Sequence, residues 1–85
     1  MKLAVVIPAW NEEGTIGAVI KSIPHLNKRV SKTEVIVVDD GSSDRTAAIA
    51  KGLGATVVSH NGNKGVGKAF QTGVEACIER FKYHL

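Results

Sequence analysis

The 85 residues contain a single cysteine, Cys77, so no disulfide can close within the chain and nothing in it calls for an oxidising compartment. A reducing cytoplasm is the expected setting. Aromatic residues are also scarce: Trp10, Phe70, Phe81 and Tyr83 are too scattered to build the stacking platforms of a basic nucleic-acid groove. Charge of one sign forms no block, because 11 basic and 8 acidic residues are interspersed along the chain. The resulting net charge of +3 favours anionic ligands without requiring nucleic acid, which is not an expected partner. Long apolar runs are missing too. The one near the start, Leu3 to Ile7, is cut short by Pro8 and by Asn11-Glu12-Glu13, well before the length of a secretory signal or a membrane span. His25, His60 and His84 have no partners at metal-ligand spacing, and no Ser, His and Asp arrangement resembles a catalytic triad.

What is present reads as one small α/β domain over residues 1–85. Leu3 to Ile7 is a continuous, β-branched-rich run of the kind covered on both faces of a sheet. Asn11 is then placed to cap a helix with Glu12 and Glu13 in its first turn and Ile16, Val19, Ile20 and Ile23 on one face, ended by Pro24. A polar connection, His25 to Thr33, leads to a second strand, Val35 to Val38, which stops in Asp39-Asp40-Gly41-Ser42-Ser43-Asp44. Ser43 or Asp44 can start a helix through Ala47 to Ala50, closed by Gly52 and Gly54 before a third strand at Thr56 to Ser59. The glycine-rich stretch Asn61 to Gly67 opens a last helix, whose apolar face is read as Val66, Ala69, Phe70, Val74, Cys77, Ile78 and Phe81.

That βαβαβα order, with right-handed crossovers, predicts a parallel sheet with helices on both faces, a Rossmann-like half. The carboxyl ends of the strands then share one edge, where open α/β sheets bind ligands. Three segments of unusual composition meet there. In the first, Pro8-Ala9-Trp10-Asn11-Glu12-Glu13, two acids at a helix start oppose an anion and suit ribose hydroxyls, although a capped surface helix with a partly buried Trp10 is the more ordinary use of such residues. In the second, Asp39 and Asp40 can accept hydrogen bonds from a base or ribose or approach a divalent cation, whereas a turn with a helix cap needs only one acid. In the third, glycines let backbone amides approach phosphate while Lys64 and Lys68 add positive charge, against the alternative of a flexible connection with solvated lysines. This last stretch matches G-x-x-x-x-G-K from Gly62 to Lys68, but Ala69 stands where a P-loop needs a hydroxyl for magnesium, and Phe70 spoils a dinucleotide fingerprint. Cys77, on an apolar helix face, reads as a small core residue.

Taken in order, the three segments resemble glycosyltransferase family 2, of the GT-A fold, and within it the dolichyl-phosphate mannose synthase-like and cell-wall members. Val5 to Glu13 is similar to the family's V-I-P-x-x-N-E, Val37 to Thr46 to V-V-D-D-G-S-x-D-x-T, and Asn63 to Ala69 to N-x-G-x-G-x-A. The resemblance implies a site for a nucleotide-diphospho-sugar donor, a UDP- or GDP-sugar. It implies that Pro8 and Ala9 flank the base, that Trp10 stands where Tyr is usual, and that Glu12 holds ribose hydroxyls. Val38 would line the pocket, Asp40 would bond the base with Asp39 beside it, and Lys64 would lie near base and diphosphate. It further implies a divalent metal, Mg or Mn, for a full-length parent. The family's D-x-D metal motif and catalytic acid have no counterpart in these residues, so the chain is expected to be the donor-binding portion of a longer enzyme, inactive alone. A sheet edge left open would be covered by further chain, by a partner or by another copy. The alternatives are a half-sheet assembly module and a P-loop-type nucleotide binder.

Overall fold

The strands lie where β-branched residues run together: the first continues through Pro8 to Ala9, the second ends on Asp39 and the third on Ser59, just before His60. A computed structural model of the chain describes residues 2–23 and 32–81. In order, these hold β1 (Lys2–Ala9), α1 (Ile16–Ser22), β2 (Lys32–Asp39), α2 (Thr46–Gly52), β3 (Thr56–Ser59) and α3 (Val66–Phe81). The three strands form one parallel sheet in the order β1-β2-β3. Their register sets Ala9 opposite Asp39 and Asp39 opposite Ser59, so all three strands end at one level. The α/β, Rossmann-like arrangement read from the sequence is the arrangement of the chain. The expectations placed on Pro24, His25, His84 and the residues after Phe81 lie outside the described residues, and β2 begins before Val35, at Lys32.

Alternation along the strands divides the interior into two apolar layers. On one face Ile7 and Ala9 of β1, Val35 and Val37 of β2 and Val57 of β3 pack against Ile16 and Ile20 of α1 and Ile49 and Ala50 of α2. On the other, Val6, Ile36, Val38 and Val58 meet Ala69, Ala76 and Cys77 of α3. Helices on both faces make three layers, and both faces of β2 are buried, as its unbroken apolar run requires. Cys77 takes the core position expected of it. Among the described residues no helix is long and apolar enough to cross a membrane.

Two local expectations are corrected. Helix α1 does not start on an Asn11 cap: residues 13–15 turn first, with the Glu12 carbonyl accepting the N–H groups of Thr15 (3.0 Å) and Ile16 (2.8 Å). Asn11 sits at φ +49° and is drawn away from α1 by the loop after β2. Helix α3 also presents a different face to the sheet from the one its large apolar residues mark. Val66 (73% exposed), Phe70 (57%) and Ile78 (62%) point outward with Val74 (38%), while the fully buried Ala69 and the buried Gly73 face inward. The reason is close approach, because a Cβ on Gly73 would lie 2.2 Å from Val6 Cγ1. The helix sits on the sheet through a ridge of small residues, which leaves its bulky ones on the far side.

Candidate functional site

The loops that follow β2 and β3 extend the sheet by one hydrogen bond each before turning away. The Asp40 N–H donates to the Ala9 carbonyl (2.8 Å) and the His60 N–H to the Asp39 carbonyl (2.8 Å). Both residues are thereby placed by the ladder at the carboxyl edge.

Asp39 and Asp40 diverge from that point. Asp39, buried, accepts from the Ser42 N–H (3.0 Å) and from Ser59 Oγ (3.3 Å), which shapes the turn after β2 and ties it to β3. Asp40 accepts at Oδ1 from the Lys64 N–H (2.9 Å) and from His60 Nδ1 (2.7 Å), and at Oδ2 from the Gly65 N–H (2.9 Å). The imidazole and the two amides hold its carboxyl below the usual carboxylate value, with the His60 bond the largest contribution. His60 is braced behind by Thr72 of α3, whose Oγ1 lies 2.8 Å from Nε2. Thus His60, which sequence spacing leaves without a partner, stands between Asp40 and α3. Only the register of β3 against β2 brings them together.

The loops after β1 and β2 are laced to each other. Asn11 donates its N–H to Ser42 Oγ (2.9 Å) and accepts from the Ser43 N–H at Oδ1 (2.8 Å). The Glu12 N–H donates to Oγ1 of the fully buried Thr46 (2.8 Å), and the Glu13 N–H to Asp44 Oδ2 (3.1 Å). Asp44 also accepts from the Thr46 N–H (2.9 Å) and hydroxyl, so it, and not Ser43, organises the start of α2. Those bonds, the Thr46 hydroxyl first, lower the Asp44 pKa. Glu13 Oε2 accepts from the Arg45 N–H (3.3 Å), so of the two adjacent glutamates Glu13 is the one turned to structure.

A cleft of about 360 Å³ opens between these loops and α3. Its floor and near wall are Pro8, Ala9, Trp10 and Glu12, with Asp40 at the back. Asn63 and Gly65 of the glycine-rich loop and Val66 and Ala69 of α3 close the far wall. The size is at the lower end of small-molecule sites, about 300 to 1,000 Å³. Trp10 is 50% exposed at its side, a large indole left half in water. Of the residues picked from the sequence, Pro8, Ala9, Trp10, Glu12 and Asp40 meet in this cleft. Val38 lies fully buried in the layer under α3, Asp39 serves its turn, and Lys64 is exposed beside the cleft with its amide on Asp40. Asn63, Gly65, Val66 and Ala69 come from the third sequence segment, of which the resemblance singles out only Lys64, and His60, behind Asp40, is read from the sequence as having no partner.

The donor set here does not suit a metal ion. Both carboxylates of the Asp39-Asp40 pair already accept from N–H or O–H donors, two on Asp39 and three on Asp40. Among the described residues no three potential ligands gather. The cation once conceivable at this pair is therefore replaced by backbone amides and an imidazole.

Comparison with known proteins agrees with the architecture. The family model of glycosyl transferase family 2 matches residues 4–82. An uncharacterized protein of Methanocaldococcus jannaschii is 40% identical over 77 residues, covering 91% of this chain and 30% of that protein. The 4,4'-diaponeurosporenoate glycosyltransferase of Staphylococcus haemolyticus is 43% identical over 72 residues, 80% of this chain and 18% of that enzyme. Glucosyl-3-phosphoglycerate synthase from Mycobacterium tuberculosis, solved in complex with uridine diphosphate, superposes with a TM-score of 0.57 at 47% identity over 68% of this chain and 21% of its own. The same synthase has been solved with Mn2+, UDP-glucose and phosphoglyceric acid, at a TM-score of 0.56 and 47% identity, covering 68% of this chain and 20% of its own. The chain thus spans less than a third of the length of these relatives.

Proposed function

The chain belongs to glycosyl transferase family 2, and on that premise we propose that its cleft holds the nucleotide of a nucleotide-diphospho-sugar, as the donor-binding part of a protein that transfers a glycosyl group. The observation that carries the reading is Asp40. A carboxylate offers roughly four lone-pair positions, and three are occupied here, two on Oδ1 and one on Oδ2. One acceptor position remains, on a residue that lines the cleft. It suits the single ring N–H of uracil or guanine, and the uridine diphosphate bound by the Mycobacterium tuberculosis synthase supports uracil as the first choice.

The other groups divide the rest of the ligand. Trp10 offers a stacking face for the base beside Pro8 and Ala9, and the Glu12 side chain suits ribose hydroxyls. With the Lys64 and Gly65 amides bound to Asp40, the Lys64 side chain and the first-turn amides of α3 are the groups that offer positive charge and N–H donors to a diphosphate. Val38 acts from below, by supporting Ala69 in the far wall. A divalent metal that would neutralise the diphosphate leaving group, such as the Mn2+ bound by that synthase, would take its ligands from outside residues 1–85. The base that deprotonates the acceptor hydroxyl is assigned to no residue of this chain. Residues 1–85 then form one donor-recognition unit, not expected to transfer sugar alone.

Titration calorimetry with UDP and GDP tests the reading on wild type and Asp40→Asn. The asparagine keeps the shape but cannot accept from three donors at once. UDP affinity is expected to fall about tenfold or more. Equal affinity in both proteins, or no binding of either nucleotide by the folded wild type, refutes the reading. A second reading, an assembly module, draws on the outer edge of β1, which has no strand partner among the described residues, and on the exposed apolar stripe of α3. It predicts an obligate oligomer by gel filtration and no nucleotide binding.

A further inference from the structure

His60 is held at three points. Its N–H continues the ladder to Asp39, its Nδ1 lies on Asp40 Oδ1, and its Nε2 lies on Thr72 Oγ1. The imidazole and carboxylate are both nearly withdrawn from water, their side chains 8% and 5% exposed. An ionised carboxylate can only accept, so Nδ1 carries the proton. The Thr72 hydroxyl rotates to suit Nε2, donating to it when the ring is neutral and accepting from it when the ring is charged. The bracing therefore survives either charge state.

The consequence falls on Asp40. Without the imidazole, Oδ1 would keep a second free lone pair, and the carboxylate would be fixed only by two amides from the loop it is meant to hold. With it, Oδ1 is full and the single vacant acceptor is on Oδ2. We propose that His60 is a positioning residue of the nucleotide site, acting through Asp40 to present one acceptor of fixed direction to a base N–H. The proposal rests on the nucleotide reading for what is recognised, but the orientation of Asp40 is a property of the protein alone. Thr72 extends the brace into α3, whose first turn forms part of the same cleft.

Two isosteric substitutions separate this role from a merely structural one. The amide nitrogen of Asn reaches the place of imidazole Nδ1, whereas that of Gln reaches the place of Nε2. His60→Asn thus keeps the donor to Asp40 and loses Thr72, and His60→Gln does the reverse. Each loses one buried hydrogen bond, so a structural role predicts similar effects. The positioning role predicts UDP affinity within about threefold of wild type for Asn and about tenfold weaker for Gln, by calorimetry at matched folded fraction. Amide proton shifts of Lys64 and Gly65, read by NMR without nucleotide, are expected to be kept in Asn and displaced in Gln. Equal affinities and equal amide shifts in the two variants overturn the proposal while leaving the nucleotide reading standing. Displaced amides in Gln alone, in a protein that binds neither UDP nor GDP, support the positioning of Asp40 and remove the nucleotide reading instead.

Discussion

The loops around the cleft are held in two different ways. Those after β1 and β2 exchange bonds along their length, from Asn11 to Ser42 and Ser43, from Glu12 to Thr46, and between Glu13, Asp44 and Arg45. The loop after β3 meets them through one carboxylate, Asp40, which takes the amides of Lys64 and Gly65, and through a close backbone approach at Gly41. One side of the cleft is therefore a platform with many small supports, and the glycine-rich loop that faces it is bonded to that platform through a single side-chain anchor, Asp40. The difference bears on the proposed function, because the anchor is itself a residue that lines the cleft. Changes in the platform should act on stability first, and changes at the anchor should act on recognition first.

The seam between the two walls gives the largest expected effect. Gly41 sits at φ +79°, and a Cβ there would lie 2.4 Å from the carbonyl carbon of Gly62 and 2.7 Å from the Asn63 nitrogen. Backbone cannot step aside as a flexible side chain can. Gly41→Ala should cost about 2–5 kcal/mol, the sum of a left-handed conformation and an overpacked contact. Urea denaturation measures it. A loss under about 1 kcal/mol would mean that the loop after β3 yields at little cost and that its closeness to the platform is incidental.

Within the platform the deepest support is Thr46, fully buried, whose Oγ1 accepts from the Glu12 amide and bonds Asp44. Thr46→Val keeps the volume and leaves both partners short of one bond. A loss of about 1–3 kcal/mol is expected, with Thr46→Ser retaining most of the stability. If the two walls differ as described, UDP affinity at matched folded fraction should change less in Thr46→Val than in Asp40→Asn. The reverse order would place the recognition geometry in the platform and break the distinction.

The same contrast explains what was legible in the sequence. The strands, the parallel order and the shared edge follow from short-range signals: β-branched runs, acids and glycines at their ends, and helical spacing. Pro8, Trp10, Glu12 and Asp40 could be picked out because they sit in local motifs that end a strand. Asn11 could not be read correctly, since its side chain is used by Ser43, 32 residues away, and not by its own helix. His60 was hidden for the same reason, its partners Asp40 and Thr72 being 20 and 12 residues distant. The face of α3 was misread by a different route. Hydrophobicity marks Val66, Phe70, Val74 and Ile78, but the sheet selects by size, taking Ala69 and Gly73 because Val6 and Val38 approach so closely. A ridge of small residues spaced by four was the available signal.

The smallest expected effect comes from Trp10, the one residue of the platform that does little for it. Half exposed at the side of the cleft and carrying the only indole of the chain, it can be removed without opening the core. Trp10→Ala should leave the urea midpoint unchanged while weakening UDP about fivefold, the magnitude of one base on one aromatic face. Trp10→Tyr keeps a ring and should restore most of that affinity. Because no other tryptophan contributes, indole fluorescence reports the contact directly, and quenching on UDP addition is expected in wild type and in His60→Asn. Quenching without any affinity loss in Trp10→Ala would mean that the base passes near the indole without stacking on it. Recognition would then rest on Asp40 alone, and the platform would be reduced to support.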